Sequence, residues 1–147
     1  MKRLLTIIAA MFLSSVLWAQ VGLDEVTGRL DSNRIKAEFS CVFNSQGAPM
    51  TCKGTVLAQG RCFHSDINGI EAYCDGGKLV LLDRESKEAY IEDASGLEDY
   101  LKSNVRNISG LQFSELRFMD LSDDMSAFTV DLSSLGKDWV ITDLRQE

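Results

Sequence analysis

Four cysteines, Cys41, Cys52, Cys62 and Cys74, and a single histidine, His64, are the side chains with the most reactive chemistry in this sequence. His64 is followed by Ser65 and Asp66, which together are the ingredients of a nucleophilic site. In an extended segment, however, successive side chains point to opposite faces, so these neighbours in sequence would not meet. A polar surface position is the simpler reading of His64. The cysteine spacing contains no Cys-x-x-Cys, and with one histidine a zinc site or a thioredoxin-like redox centre has too few ligands. The acidic group Asp120, Asp123 and Asp124 lacks the glycine and distal glutamate of a calcium loop and reads as a solvated hairpin turn. Asn107-Ile108-Ser109 is a glycosylation sequon, which has a role only in a eukaryotic secretory pathway. No motif demands catalysis, a cofactor or a metal, and the expectation is a non-enzymatic protein.

The chemistry left to the cysteines is oxidation, and the N-terminus supplies the compartment for it. Lys2 and Arg3 precede an apolar run from Leu4 to Trp18 that ends in Ala19-Gln20, the layout of a secretory signal peptide over residues 1–19. An uncleaved membrane anchor is the alternative, since the run is nearly long enough to span. No cysteine follows the run, so the chain is not itself lipidated as a bacterial lipoprotein would be. Export places four cysteines, an even number, where disulfides form. If the first hairpin folds about Gln46-Gly47, Cys41 lies directly opposite Cys52, close enough in a non-hydrogen-bonded pair to bridge. A three-residue loop at Ile67-Asn68-Gly69 would put Cys62 opposite Cys74, whereas a two-residue Asn68-Gly69 turn would send those thiols to different faces. The expected pairs are therefore Cys41 with Cys52 and Cys62 with Cys74. Each is worth about 3 kcal/mol in the chain-entropy model. The alternative is four buried free thiols packing as small hydrophobes.

The elements that hold these residues are short strands. Ile35, Ala37, Phe39, Cys41 and Phe43 fall at even spacing with Lys36, Glu38 and Ser40 between them, which puts the first set on one face of a half-buried strand. Strands follow over 50–59, 61–66, 70–74, 79–82 and 88–92, separated by Gly60, Asn68-Gly69, Asp75-Gly76-Gly77 and Asp83–Ser86. This spacing predicts an antiparallel meander. Leu23, Val26 and Leu30 fall at helical spacing before it, although Gly28 weakens that helix. Ser95 and Glu98 form a capping box for a second helix with Leu97, Tyr100, Leu101 and Val105 on one apolar face. Further strands are expected over 116–121, 128–132 and 139–144, giving seven to nine strands in one domain over residues 20–147. The chain carries a net charge of −7, which repels phosphate backbones and disfavours nucleic acid as a partner.

Taken together, IKAEFSC (35–41), GTVLAQGRCF (54–63), DGGKLVLLD (75–83) and KEAYIED (87–93) resemble the outer-membrane lipoprotein carriers, the LolA-like family. The resemblance covers residues 23–93 and fades beyond them. It implies an incomplete antiparallel β-barrel, mainly β with one or two helices on the concave side, whose apolar cavity receives the acyl chains of lipoproteins in the periplasm of a Gram-negative bacterium. The cavity residues implied here are Phe39, Phe43, Val56, Leu79 and Leu81 from strands, with Leu97 and Leu101 from the helix. The family's basic residue near the end of the early strands aligns with Arg61 only across a gap. The chain is also shorter than such carriers in its C-terminal half, and four cysteines are not part of their common pattern. The competing expectation is a disulfide-stapled exported interaction module, filled by its own core, that binds a protein partner of the cell envelope along a sheet edge.

Overall fold

The computed structural model describes residues 28–45, 47–97 and 108–145. They form mainly β structure, a single sheet of eight strands: β1 (Asn33–Ser45), β2 (Ala48–Gln59), β3 (Cys62–Ile67), β4 (Ile70–Cys74), β5 (Lys78–Asp83), β6 (Glu88–Asp93), β7 (Ile108–Asp120) and β8 (Val140–Asp143). The spatial order is β7-β1-β2-β3-β4-β5-β6-β8, so the meander β1–β6 gains one strand on each edge. Every pairing is antiparallel except β6 with β8, which is parallel. The sheet is thus mixed rather than wholly antiparallel. The parallel pairing follows from connectivity, because the chain crosses the sheet between β7 and β8 and arrives at β6 from the same end.

Alternation assigns two faces. Face A carries Ile35, Ala37, Phe39, Cys41 and Phe43 of β1, all buried, as the sequence pattern predicts. Register then adds Cys52, Val56 and Ala58 of β2, Phe63, Ser65 and Ile67 of β3, and Ile70, Ala72 and Cys74 of β4 to the same face. Leu79 and Leu81 continue it on β5. Face B is covered over β5 and β6 by the crossover, where Val130, Leu132, Leu135 and Trp139 pack on Val80, Leu82, Ala89 and Ile91. The uninterrupted apolar run 79–82 is the consequence, since β5 is buried on both sides.

The crossover corrects two expectations. Residues 128–132 do not form a strand: short 3-10 turns at Ser126–Phe128 and Leu132–Ser134 occupy this stretch, with Asp131 accepting from the Ser133 amide. The alternation of Phe128, Val130 and Leu132 arises because they point down onto face B while the chain lies across it. The acidic stretch is not a hairpin turn either. Arg34 donates to the Asp124 carbonyl at 2.7 Å and to Gln59 Oε1 at 2.9 Å, and its guanidinium lies over the Phe128 ring. Gln59 exchanges bonds with the backbone of Ser122, Nε2 to its carbonyl at 2.9 Å and Oε1 from its amide at 3.1 Å. These contacts fix the departure of the chain from β7.

The β3–β4 hairpin turns through two residues, Asn68 (φ 51°) and Gly69 (φ 84°), with Ile67 paired to Ile70. Positive φ at both positions is the type I′ geometry that suits strand twist. A three-residue loop would have taken Ile67 out of the sheet, yet this side chain is buried in the core. Asn68 also reaches back to β2, accepting from the Lys53 amide and donating to the Thr51 carbonyl. Gly54 makes that approach possible, because a Cβ there would stand 2.5 Å from the Asp66 carbonyl oxygen. At the end of β6, Asp93 rather than Ser95 caps the following turn, accepting from the Ser95 amide. Glu98 and the rest of the proposed helix, the signal segment and most of the 23–30 helix lie outside the described residues.

Candidate functional site

The strand residues implied by the family resemblance come together. Phe39, Phe43, Val56, Leu79 and Leu81 all lie on face A, and Leu97 packs against the cluster that contains Phe63, Leu79 and Leu81. Leu101 lies outside the described residues. Two clusters make up this face, one around Phe63, Leu79 and Leu81 and the other around Phe39, Phe43 and Ile67, and Val56 packs against both. Val56 and Leu97 are half-buried, while Leu81 is fully buried at 0% exposure.

One continuous cross-strand row crosses this face, Leu116–Ala37–Val56–Ser65–Ala72–Leu81–Tyr90–Thr142, one residue from each strand, and its Ala72 and Leu81 belong to the first cluster. Ala37, Ser65 and Ala72 are small, so the row is lower than the Phe and Ile side chains on either side of it. The row ends at the β7 edge in Leu116, 36% exposed. Ser65 is the one buried polar residue among the described ones, 4% exposed, and its hydroxyl has no hydrogen-bond partner. In sequence Ser65 is only a neighbour of His64; its place in an apolar row follows from the registers of β2, β3 and β4 together.

His64 points the other way, into face B, stacked on Tyr73 with ring centroids 4.2 Å apart. Tyr73 donates to Glu71, which is paired with Arg84. Asp66 is exposed, so His64, Ser65 and Asp66 do not converge into a nucleophilic site. Burial pulls the His64 imidazole below its ordinary 6.5, partly offset by Glu71 and Asp66. A lowered folded-state value means that the unfolded chain takes up the proton first as pH falls. The stability contributed by neutral His64 is therefore present above 6.5 and lost on acidification below it. As the only histidine, it gives one imidazole signal in an NMR titration, and the midpoint is expected below 6.5. A midpoint at or above 6.5 would contradict its placement under the crossover.

The cysteines divide in two. Cys41 faces Cys52 directly, as expected, and both are buried free thiols. Pro49 has no N–H and opposes Asn44, a position that must therefore be a non-hydrogen-bonded one. Counting along the ladder makes Cys41–Cys52 a hydrogen-bonded pair instead, with Cα atoms about 5.5 Å apart, still within disulfide range. The Cys52 thiol beside it, and then burial, push Cys41 up, while Cys52 is lowered by the bond from Cys41. The second pair is corrected by the two-residue turn: Phe63, not Cys62, opposes Cys74, so Cys74 joins the face A core and Cys62 lies on face B. Arg61 is exposed in the β2–β3 turn, with its carbonyl accepting from the Cys74 thiol.

On face B of β1–β3 lies a groove of about 600 Å³ whose walls include Glu38, Ser40, Lys53, Thr55 and Asp66. Its mixed charges present no convergent set. Among the described residues no group of three or more His, Cys, Asp or Glu side chains could hold a metal ion, and no helix is long and apolar enough to cross a membrane. Comparison of the sequence with protein-family models and with curated proteins finds no match.

Proposed function

We propose that this chain is an exported carrier that holds acyl chains against face A, a short divergent relative of the LolA-like lipoprotein carriers. The observation that carries this reading is the gathering of Phe39, Phe43, Val56, Leu79 and Leu81 on one face of one sheet, with Leu97 against it. In this reading residues 1–19 direct export to the periplasm of a Gram-negative bacterium. In the same reading one or two helices cover the concave side of an incomplete barrel. Binding rests on the hydrophobic effect alone: burying half of a sixteen-carbon chain supplies about 6 kcal/mol at about 0.8 kcal/mol per methylene, enough for capture and weak enough for release.

A second reading, an interaction module that binds an envelope protein along a sheet edge, draws on Val140 and Ile141 of the edge strand β8, which are 60% and 46% exposed. Displacement of a fluorescent acyl probe separates the two. The carrier binds long-chain esters, and Val56→Glu, a charge introduced at a half-buried position of the row, lowers that affinity at least about tenfold because an unpaired carboxylate is costly among apolar side chains. Failure of the wild-type protein to bind any acyl probe leaves the edge-binding module.

A further inference from the structure

The sheet ends on one side in β7, and among the described residues no strand pairs with its outer edge. Edge strands are normally protected by proline, by shortness or by charge of one sign. β7 has 13 residues and no proline, and at its centre stands Glu115-Leu116-Arg117, a leucine 36% exposed between charges of opposite sign. Its register with β1 is adverse for both charges, because Glu115 faces Glu38 and Arg117 faces Lys36, and like charges directly opposite each other repel. Arg117 turns along its own strand to Glu115 instead. The ladder phase set by Pro49 gives Lys36 and Glu38 their backbone bonds to β7, so Arg117 and Glu115 bond inward and the amide and carbonyl of Leu116 point outward. The Met119 carbonyl, in phase with Arg117, accordingly accepts from Asn33 of β1.

We propose that the β7 edge pairs two copies of this chain: the β7 strands run antiparallel about a twofold axis at Leu116, so that Glu115 of each copy faces Arg117 of the other and the two sheets join into one. In such a pairing facing residues lie on the same side of the sheet, so the axis must fall on a residue rather than between two. An axis on Glu115 would set Glu115 against its own copy, and an axis on Arg117 would do the same to Arg117. Leu116 is the one of the three that gives both charges an opposite partner. It then forms a hydrogen-bonded pair with its counterpart, and the flanking Glu115–Arg117 pairs are non-hydrogen-bonded ones, in which side chains lie closest. This charge self-complementarity selects a second copy over a strand of another protein. The pairing is independent of what face A carries.

Analytical ultracentrifugation of the full chain exported to a bacterial periplasm tests this with wild type, Glu115→Arg and Arg117→Glu. Wild type is expected to sediment as a dimer. Each single variant sets like charges against each other twice across the axis, and should sediment as a monomer at the same concentration. Neither change weakens the fold, because Glu115→Arg meets Glu38 and Arg117→Glu meets Lys36 across β1, and circular dichroism should show wild-type strand content for both. Mixed in equal amounts, the two variants should recover the dimer, since every charge at the edge then faces its opposite. Misfolded variants could not do this. A wild-type protein that stays monomeric up to millimolar concentration, a dimer that survives either single change, or single variants that remain monomeric when mixed would each overturn the proposal.

Discussion

Leu81→Glu is expected to leave the domain unfolded under native conditions. Leu81 is fully buried between Ala72 and Tyr90 and belongs to the cluster that joins β3, β4 and β5. Loss of its packing alone costs about 2–5 kcal/mol. A carboxylate in its place adds a desolvation cost of several kcal/mol. The sum is comparable to the whole stability of a domain of this size, about 5–15 kcal/mol. Circular dichroism and urea titration should therefore show no cooperative transition for this variant, while Val56→Glu, at a half-buried position, keeps one. A Leu81→Glu protein with wild-type stability would contradict the packing of Leu81 in the cluster that joins β3, β4 and β5.

The second large effect concerns the cysteines. Protein secreted into an oxidising compartment is expected to carry one disulfide, Cys41–Cys52, and two free thiols. The pair is in register and its thiols are in contact, the arrangement from which an oxidant closes a disulfide. Closing the β1–β2 hairpin in this way is worth about 3 kcal/mol. Alkylation in denaturant without reductant should add two groups, on Cys62 and Cys74, and reduction should raise that number to four and lower the urea midpoint. Four groups before reduction, or a linked Cys62–Cys74 peptide, would contradict the register-based assignment.

The meander β1–β6 was legible because each strand carries its own evidence: period-two alternation, then a turn dipeptide with a mechanism, such as Asn68-Gly69 or Asp75-Gly76-Gly77. What local patterns do not encode is which distant strand pairs with which. β7 extends from Ile108 to Asp120, but its alternation is broken by Gly110 at φ 60° and by two register shifts against β1, so only its second half reads as a strand. The Phe128–Leu132 alternation misleads for the opposite reason, since any segment lying across an apolar face can repeat every second residue. The Cys62–Cys74 pairing required a loop that removed Ile67 from the sheet, and burial of Ile67 outweighs that. Of the candidate site, the apolar lining residues were readable from alternation and resemblance. Ser65 was not, because its significance depends on neighbours from β2 and β4.

Whether face A holds acyl chains is decided by native mass spectrometry of the full chain exported to a bacterial periplasm. A carrier is expected to emerge together with co-purifying species of acyl-lipid mass, lost when Val56→Glu is prepared in the same way. Wild-type protein that emerges only at its polypeptide mass, and remains so after incubation with methyl palmitate, would contradict the carrier reading.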